Sequence, residues 1–473
     1  MIFLICILAM TGAALAMFHV AAVFFLCCGI GTACGIWLGY SIATGALQAR
    51  LTSIFVAATL FGYCGGALYP QVAAMLAGHD SLAYIPVPID WLAYALVLVM
   101  LVSICLLFAT SLDPPLLTQQ SVVTLSFKQE RFLWCCLALT AVAFRRGDLT
   151  FMGTHNDVQG KVSIFGDLMV MVVPLIAPLA AVGWSQSAGF RRLRFAVIGL
   201  AGLLAIMPLG RRDFAIDLLL CLFAAARLSG RTWRLSRARV ALTAVAATCI
   251  IIGASVFFMG LRMATYVMGT RKASLSSILD VAENTTFRNL HAVEASDSEG
   301  ADYRTSNLTR YLAILTRDGD SARPLYGRDA VFTLEMTVPD VVYNKLGFSK
   351  DTVRSIGSEK GLGDEHFGLG DRDQADTVAT GGFMDFGLLG FFAYPLIACT
   401  VTRAFLYFAA IALNKEGQLV AVLIVLNEFL NPENGTIAYP ALLRNLTIVL
   451  IAWAILYAIP NTVRRERREP VFS

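Results

Sequence analysis

Apolar runs separated by short charged breaks occupy most of the chain, and one extended polar stretch interrupts them late. Read between the breaks, the runs fall near Ile2–Met17, Ala21–Ile42, Leu51–Met75, Trp91–Leu112, Phe132–Phe144, Ile164–Trp184, Phe195–Leu209, Phe214–Leu228, Val240–Gly260, Gly382–Cys399, Leu419–Leu430 and Leu443–Ile459. A helix needs roughly 20 apolar residues to cross a bilayer, so the pattern predicts an all-α polytopic membrane protein with about 12 transmembrane helices. Phe132–Phe144 and Leu419–Leu430 are short. Each must borrow flanking residues, tilt, or enter the bilayer only part way.

The polar stretch, 261–380, is expected to form one large extracytoplasmic loop. Leu308, Tyr311, Leu312 and Leu315 recur within it at helical spacing, and Val331–Val342 mixes apolar and polar residues around Pro339. Both patterns predict amphipathic helices lying over the membrane surface. Ser355–Asp376, rich in Gly and Asp, reads as an irregular loop. The organisation expected is an N-terminal transmembrane bundle of about nine spans at 1–260, the loop at 261–380, and about three further spans with a basic cytoplasmic tail at 381–473.

Composition agrees with a lipid environment, at 57% hydrophobic and 15% charged residues. Charge then orients the chain. Arg191, Arg192 and Arg194 form one basic loop; Arg231, Arg234, Arg237 and Arg239 form a second; Arg464, Arg465, Arg467 and Arg468 lie near the C-terminal end. An even number of spans separates each group from the next, so all three share one face, which the positive-inside rule names as cytoplasmic. Both termini are then cytoplasmic and the loop lies outside. No basic n-region with a small-residue cleavage site marks the first run as a removable signal peptide. Asp and Glu outnumber Lys and Arg in the loop, which excludes a basic arm for nucleic acid.

All eleven cysteines fall inside apolar runs, where they are expected to pack as small hydrophobes rather than form disulfides or bind metal. The five histidines show no ligand spacing, and no phosphate-binding loop, dinucleotide fingerprint or zinc motif is present. Neither a metal nor a cofactor is expected. The chemistry left is a set of ionisable residues at the outer mouths of helices. Arg145 and Arg146 leave the fifth span on the outer side, and Arg211 and Arg212 open the eighth from that side. Guanidinium groups suit phosphate because their planar donors bind two oxygens at once; helix-end arginines also snorkel to lipid headgroups. Asp213 and Asp217 are four apart and share a helix face, and a carboxylate deep in a span needs compensation. An ion pair of Asp213 with Arg211 or Arg212 would supply it structurally; taking a proton from an acceptor hydroxyl is the functional alternative. Asp167, Asp385, Glu428 and Arg444 are further polar residues in or near spans, expected to be paired within the bundle or at its edge.

Two function classes fit. One is an enzyme acting at the outer face on an anionic lipid-linked substrate, and the other is a flippase or transporter with arginines in its path. Two related halves with broken helices, frequent in transporters, are not visible here. A single large outer insertion suits a lid or docking platform and favours the enzyme.

Several short motifs resemble those of the Wzy-type polymerases of bacterial polysaccharide synthesis, which act on O-antigen and enterobacterial common antigen repeat units. Gly210-Arg211-Arg212-Asp213 is similar to that family's Gly-x-Arg at the start of an apolar helix, with Arg212 as the counterpart of its arginine. Gly260-Leu261-Arg262 resembles its basic residue after the ninth span, and Phe287-Arg288-Asn289-Leu290 its aromatic start to the loop helices. Leu325-Tyr326-Gly327, then Pro339 and Tyr343-Asn344-Lys345, resembles its Tyr-Gly, Pro, aromatic and basic succession. Gly381-Gly382-Phe383-Met384-Asp385-Phe386-Gly387-Leu388-Leu389-Gly390 is similar to the aromatic-x-Phe-Gly-x-x-Gly start of its tenth span. The likeness covers about Arg145 to Gly390 and departs at Val342-Tyr343-Asn344-Lys345, where the family usually carries Trp and Pro before the basic residue.

The resemblance implies a metal-independent glycosyltransferase of the bacterial inner membrane that moves a growing glycan from its polyprenyl pyrophosphate carrier to another lipid-linked repeat unit on the periplasmic side. Its partners would be the polyprenyl-pyrophosphate-linked glycan and the lipid bilayer, with a chain-length regulator as a further candidate. In that reading Arg211 and Arg212 hold one pyrophosphate and Arg145 and Arg146 help with the same or the second carrier. Arg262 and Arg288 reach in from the base of the loop, and Asp213 is the candidate base. A lipid-linked polysaccharide ligase would use the same anion site.

Overall fold

The structure is a computed structural model. It describes residues 20–68, 87–109, 125–146, 148–150, 153–154, 164–207, 211–228, 301–318, 324–338, 377–413, 415–431, 435–436 and 438–448, with a few isolated positions besides. The expected runs Ile2–Met17 and Val240–Gly260, the loop Ser355–Asp376 and the basic tail lie outside the described residues. The described chain is helical apart from one pair of two-residue strands. Among the described residues, Val20–Thr44, Leu51–Leu68, Ile89–Ala109, Leu168–Gln186 and Val378–Ile411 are long and apolar enough to cross a membrane. Large apolar side chains such as Ile36, Trp37, Leu101, Phe108, Leu200 and Leu204 stand exposed along these and neighbouring helices, as lipid-facing residues do.

In chain order the elements are α1 (Val20–Thr44), α2 (Leu51–Leu60, continuing through a π turn at Phe61–Gly65), α3 (Ile89–Ala109) and α4 (Phe127–Arg146). Then follow β1 (Leu149–Thr150), β2 (Gly153–Thr154), α5 (Ile164–Gln186), α6 (Gly189–Ile206) and α7 (Arg211–Phe223, continuing through a π turn at Ala224–Leu228). The remainder is α8 (Ala301–Asp318), α9 (Arg328–Thr337), α10 (Val378–Ala412), α11 (Lys415–Phe429) and α12 (438–448).

The chain forms two compact units. One comprises the described parts of Met1–Ile42, Gln48–Leu116 and Asp302–Ser473. The other comprises those of Ala43–Leu47 and Leu117–Ala301.

In the first unit, small residues let helices approach closely. A Cβ on Gly31 would overlap Cys64, and one on Gly35 would stand 3.0 Å from the backbone nitrogen of Phe61. The Gly-x-x-x-Gly spacing on α1 thus seats it on α2. Edge-to-face aromatic contacts, Phe55 with Phe429 and Phe429 with Tyr439, join α2, α11 and α12. The apolar face expected in the polar stretch is present on α8, where Leu308, Tyr311, Leu312 and Leu315 are all buried. That face packs on protein rather than lying over a membrane surface. Thr309 donates to the Tyr63 carbonyl of α2 at 2.8 Å, and the Tyr311 hydroxyl lies 3.5 Å from the Met384 sulfur of α10. α9 ends at Val338, whose extended backbone fits the residue before Pro339.

In the second unit, α5 and α6 form an antiparallel hairpin. Gly202 stands against Ala177, Gly199 against Ala180 and Gly183 against the Phe195 ring. The turn is only Ser187 and Ala188, with Gly189 in the left-handed region at φ +57°. Arg191, Arg192 and Arg194, read above as a loop, therefore lie on the first turns of α6. Their guanidinium groups stack on aromatic rings, Arg192 over Trp184 and Arg191 over Phe127 and Phe195, so a helix can carry them in its apolar first turns. The short run Phe132–Phe144 lies within the longer helix α4, which spans 20 residues. Its extra N-terminal turn buries Glu130, which pairs with Arg191 at 3.3 Å and with Arg194 at 3.1 Å.

Candidate functional site

The arginine pairs named from the sequence sit at one end of the second unit. A buried cluster of Ala143, Leu149, Met169, Val173, Ile206 and Phe214 ties together the last turn of α4, β1, the start of α5, the end of α6 and the start of α7. Arg145 and Arg146 close α4 beside this cluster, and Arg211, Arg212 and Asp213 open α7 beside it. The opposite end of the unit holds the Glu130–Arg191–Arg194 group, where Arg191 also donates to the Leu125 carbonyl at 2.6 Å. The two arginine pairs, 65 residues apart in the chain (146 to 211), thus come to a common end of the bundle.

Arg145 and Arg146 are both exposed. Arg146 Nε lies 3.1 Å from Asp148 Oδ2, in an ion pair without hydrogen-bond alignment, and its guanidinium stands 5.5 Å from the Phe165 ring centre. With the arginine side chain 62% exposed, that pair is a weak constraint, and the arginine can exchange Asp148 for a stronger anion. Arg145 and Arg146 also complement the negative end of α4. Arg211 and Arg212 are the first two residues of α7, where backbone N–H groups lack helical acceptors and the helix dipole favours an anion. The Arg211 and Arg212 side chains, and the whole of Arg262 and Arg288, lie outside the described residues. Asp213 is half-buried in the first turn of α7, and Asp217 one turn on is fully buried. Neither Asp217 oxygen has a hydrogen-bond partner among the described residues. Backbone placement therefore gathers Arg145, Arg146, Arg211, Arg212 and Asp213 at one end.

The first unit holds a second polar constellation, and it joins two of the motif segments. α10 breaks at Phe386 and Gly387, the latter at φ 60° and ψ −142°, a conformation that glycine alone tolerates readily. Carbonyls released from the helix ladder at the break are satisfied from another segment: Leu325 N–H donates to Met384 O and Tyr326 N–H to Asp385 O, both at 2.9 Å. The Asp385 carboxylate, fully buried, answers in the other direction. It accepts from the backbone N–H groups of Gly327 (3.1 Å), Asp329 (3.0 Å) and Ala330 (3.0 Å), and from the Tyr394 hydroxyl (2.6 Å). It therefore caps α9 from outside that helix. Close approach of Gly382 and Gly390 completes the break, since a Cβ on either would overlap the other's carbonyl oxygen. Tyr326 sits at φ 53°, an uncommon conformation for a side chain of its size, and the residue is 72% exposed.

Asp385 is expected from the sequence to be paired, yet three of its four partners were not legible because they are backbone groups of a segment more than 50 residues earlier; the fourth, Tyr394, lies nine residues on in α10. Arg444, also expected to be paired, donates to the Thr337 carbonyl at the end of α9 and to Asn445. Asp167 is in α5, with its side chain outside the described residues. The chain matches no family model, no curated protein and no solved structure.

Proposed function

We propose that the protein is a membrane glycosyltransferase that joins polyprenyl-pyrophosphate-linked oligosaccharide repeat units at the periplasmic face of a bacterial inner membrane, without a metal. The observation that carries the reading is the convergence of Arg145–Arg146 and Arg211–Arg212 on one end of the second unit, remote from the Arg191–Arg194 end. A charge bias that makes the latter end cytoplasmic leaves the paired arginines outside, where a lipid-borne diphosphate would meet them. The resemblance to Wzy-type polymerases adds support through its motifs. Leu325-Tyr326-Gly327 and Met384-Asp385, motif segments distant in the chain, bond directly to each other.

In this mechanism an acceptor sugar hydroxyl attacks the anomeric carbon of the donor glycan, and the carrier pyrophosphate leaves with the bonding electrons. Arg211 and Arg212, aided by Arg145 and Arg146, stabilise the charge that develops on that leaving group. Asp213 takes the proton from the attacking hydroxyl. Arg262 and Arg288 approach from the base of the loop in the same scheme. Asp217 favours a second reading, because a carboxyl buried in an apolar bundle is a common feature of proton-coupled transport. A flippase would move the same lipid-linked anion without elongating it.

Purified protein mixed with lipid-linked repeat units in detergent, where no compartments exist, separates the two. Longer glycans are the outcome expected of the transferase. Arg212→Ala should abolish long products while single lipid-linked units persist. Unchanged product length in that variant would refute the assignment of Arg212.

A further inference from the structure

The end of the second unit remote from the paired arginines carries a surplus of cations that the fold does not neutralise. Lys128 and Arg131 stand exposed on the first turns of α4, and Arg191, Arg192 and Arg194 lie on the first turns of α6. Against these, Glu130 is the one acid at that end among the described residues, and it already holds Arg191 and Arg194. Helix stability does not account for the α6 arginines. Cations on a first turn face the positive end of the helix dipole, which disfavours them.

Arg192 differs from its two neighbours. It is exposed, and it makes no ion pair or hydrogen bond among the described residues. Its guanidinium instead lies over the Trp184 ring of α5, 4.2 Å from the ring centre. A ring attracts a cation through its charge and takes up no N–H donor of the fork, so Trp184 can orient the group while its donors stay available for oxygen. Apolar side chains stand among the cations at this end. Phe127, Phe190 and Leu193 are all exposed, the Phe127 ring 4.5 Å from the Arg191 guanidinium and the Phe190 ring 5.6 Å from that of Arg194. Exposed rings interleaved with cations suit the headgroup boundary of a bilayer, where rings sit among the upper acyl chains and guanidinium groups reach the phosphates.

We propose that Arg192, presented by Trp184, binds the headgroup phosphate of an anionic phospholipid. The planar fork of a guanidinium can hold two phosphate oxygens at once. A zwitterionic headgroup also bears a phosphate, but its ammonium group would meet the surplus positive charge supplied by Lys128, Arg131 and the α6 arginines. An anionic headgroup keeps the full attraction. None of these residues belongs to the pyrophosphate site.

The test titrates the full-length protein in detergent with phosphatidylglycerol, with phosphatidylcholine or with inorganic phosphate, and follows the thermal unfolding midpoint by circular dichroism. The midpoint should rise and saturate with phosphatidylglycerol and not with the other two, because a ligand of the folded state stabilises it by mass action. Arg192→Gln should lose that rise. Equal rises with the two lipids, an equal rise with inorganic phosphate, or a full phosphatidylglycerol response in Arg192→Gln would overturn the site. A second measurement leaves Arg192 in place and so holds even where Arg192→Gln does not fold. Phosphatidylglycerol brominated on its acyl chains should quench the fluorescence of Trp184, isolated as the difference between the unsubstituted protein and Trp184→Phe, more than equally brominated phosphatidylcholine does. Equal quenching by the two lipids contradicts the proposal.

Discussion

Four donors converge on Asp385, three of them from the first turn of a helix more than 50 residues away in the chain. Removing an acceptor that serves several buried N–H groups costs more than a surface cap, because each donor keeps its desolvation penalty. Asp385→Ala should therefore destabilise the protein by about 3 kcal/mol, and Tyr394→Phe, which removes one charge-assisted bond, by about 1.5 kcal/mol. Thermal midpoints in detergent check both; a Tyr394→Phe loss as large as that of Asp385→Ala would contradict the capping role. Asp217 presents the opposite case. Its position on the Asp213 face of α7 is plain from four-residue spacing, and a need for compensation was expected. The tertiary structure supplies no hydrogen-bond partner among the described residues. Arg211 and Arg212 were equally plain as a double arginine before an apolar run, whereas their nearness to the Arg145–Arg146 end depends on side chains such as Ala143 and Phe214 meeting in one cluster.

Among the elements, α10 best separates pattern from geometry. The glycines at 381, 382, 387 and 390 mark the start of an apolar helix, but a glycine-rich start is equally consistent with a smooth helix, a kink or a loop. The break arises because Gly387 adopts its special backbone and Gly382 meets Gly390 at a distance no side chain permits. Gly390→Ala should cost about 3 kcal/mol through direct overlap. Gly387→Ala should cost about 2 kcal/mol through backbone strain alone, since space around it is open. Gly39→Ala on α1, where a Cβ meets nothing within 4 Å, should cause no loss. Reversal of that order in unfolding midpoints would show that the break is not held by glycine contact. α6 gives a second example. Its arginine-rich start reads as a loop by hydropathy, yet rings on α4, α5 and α6 accept the guanidinium faces and let the helix begin earlier.

At the scale of the whole molecule, the charge distribution of the second unit makes a directional prediction. Cysteines introduced at Ser187, in the α5–α6 turn, and at Asp148, after α4, lie at opposite ends of that bundle. An impermeant thiol reagent applied to sealed vesicles of known orientation should label Asp148→Cys from the outside and Ser187→Cys only after the membrane is opened. Labelling of both from one side would remove the sidedness on which the pyrophosphate proposal depends. The apolar runs, the helical character of those among the described residues, and the arginine pairs at helix ends were all determined by the sequence itself. Hydropathy and local spacing are properties of neighbouring residues, and a bilayer permits few other structures. Which helix ends meet, what Asp385 holds and where α10 breaks were decided only by tertiary structure. Those features depend on contacts between residues far apart in the chain, where the local pattern carries no record of the partner.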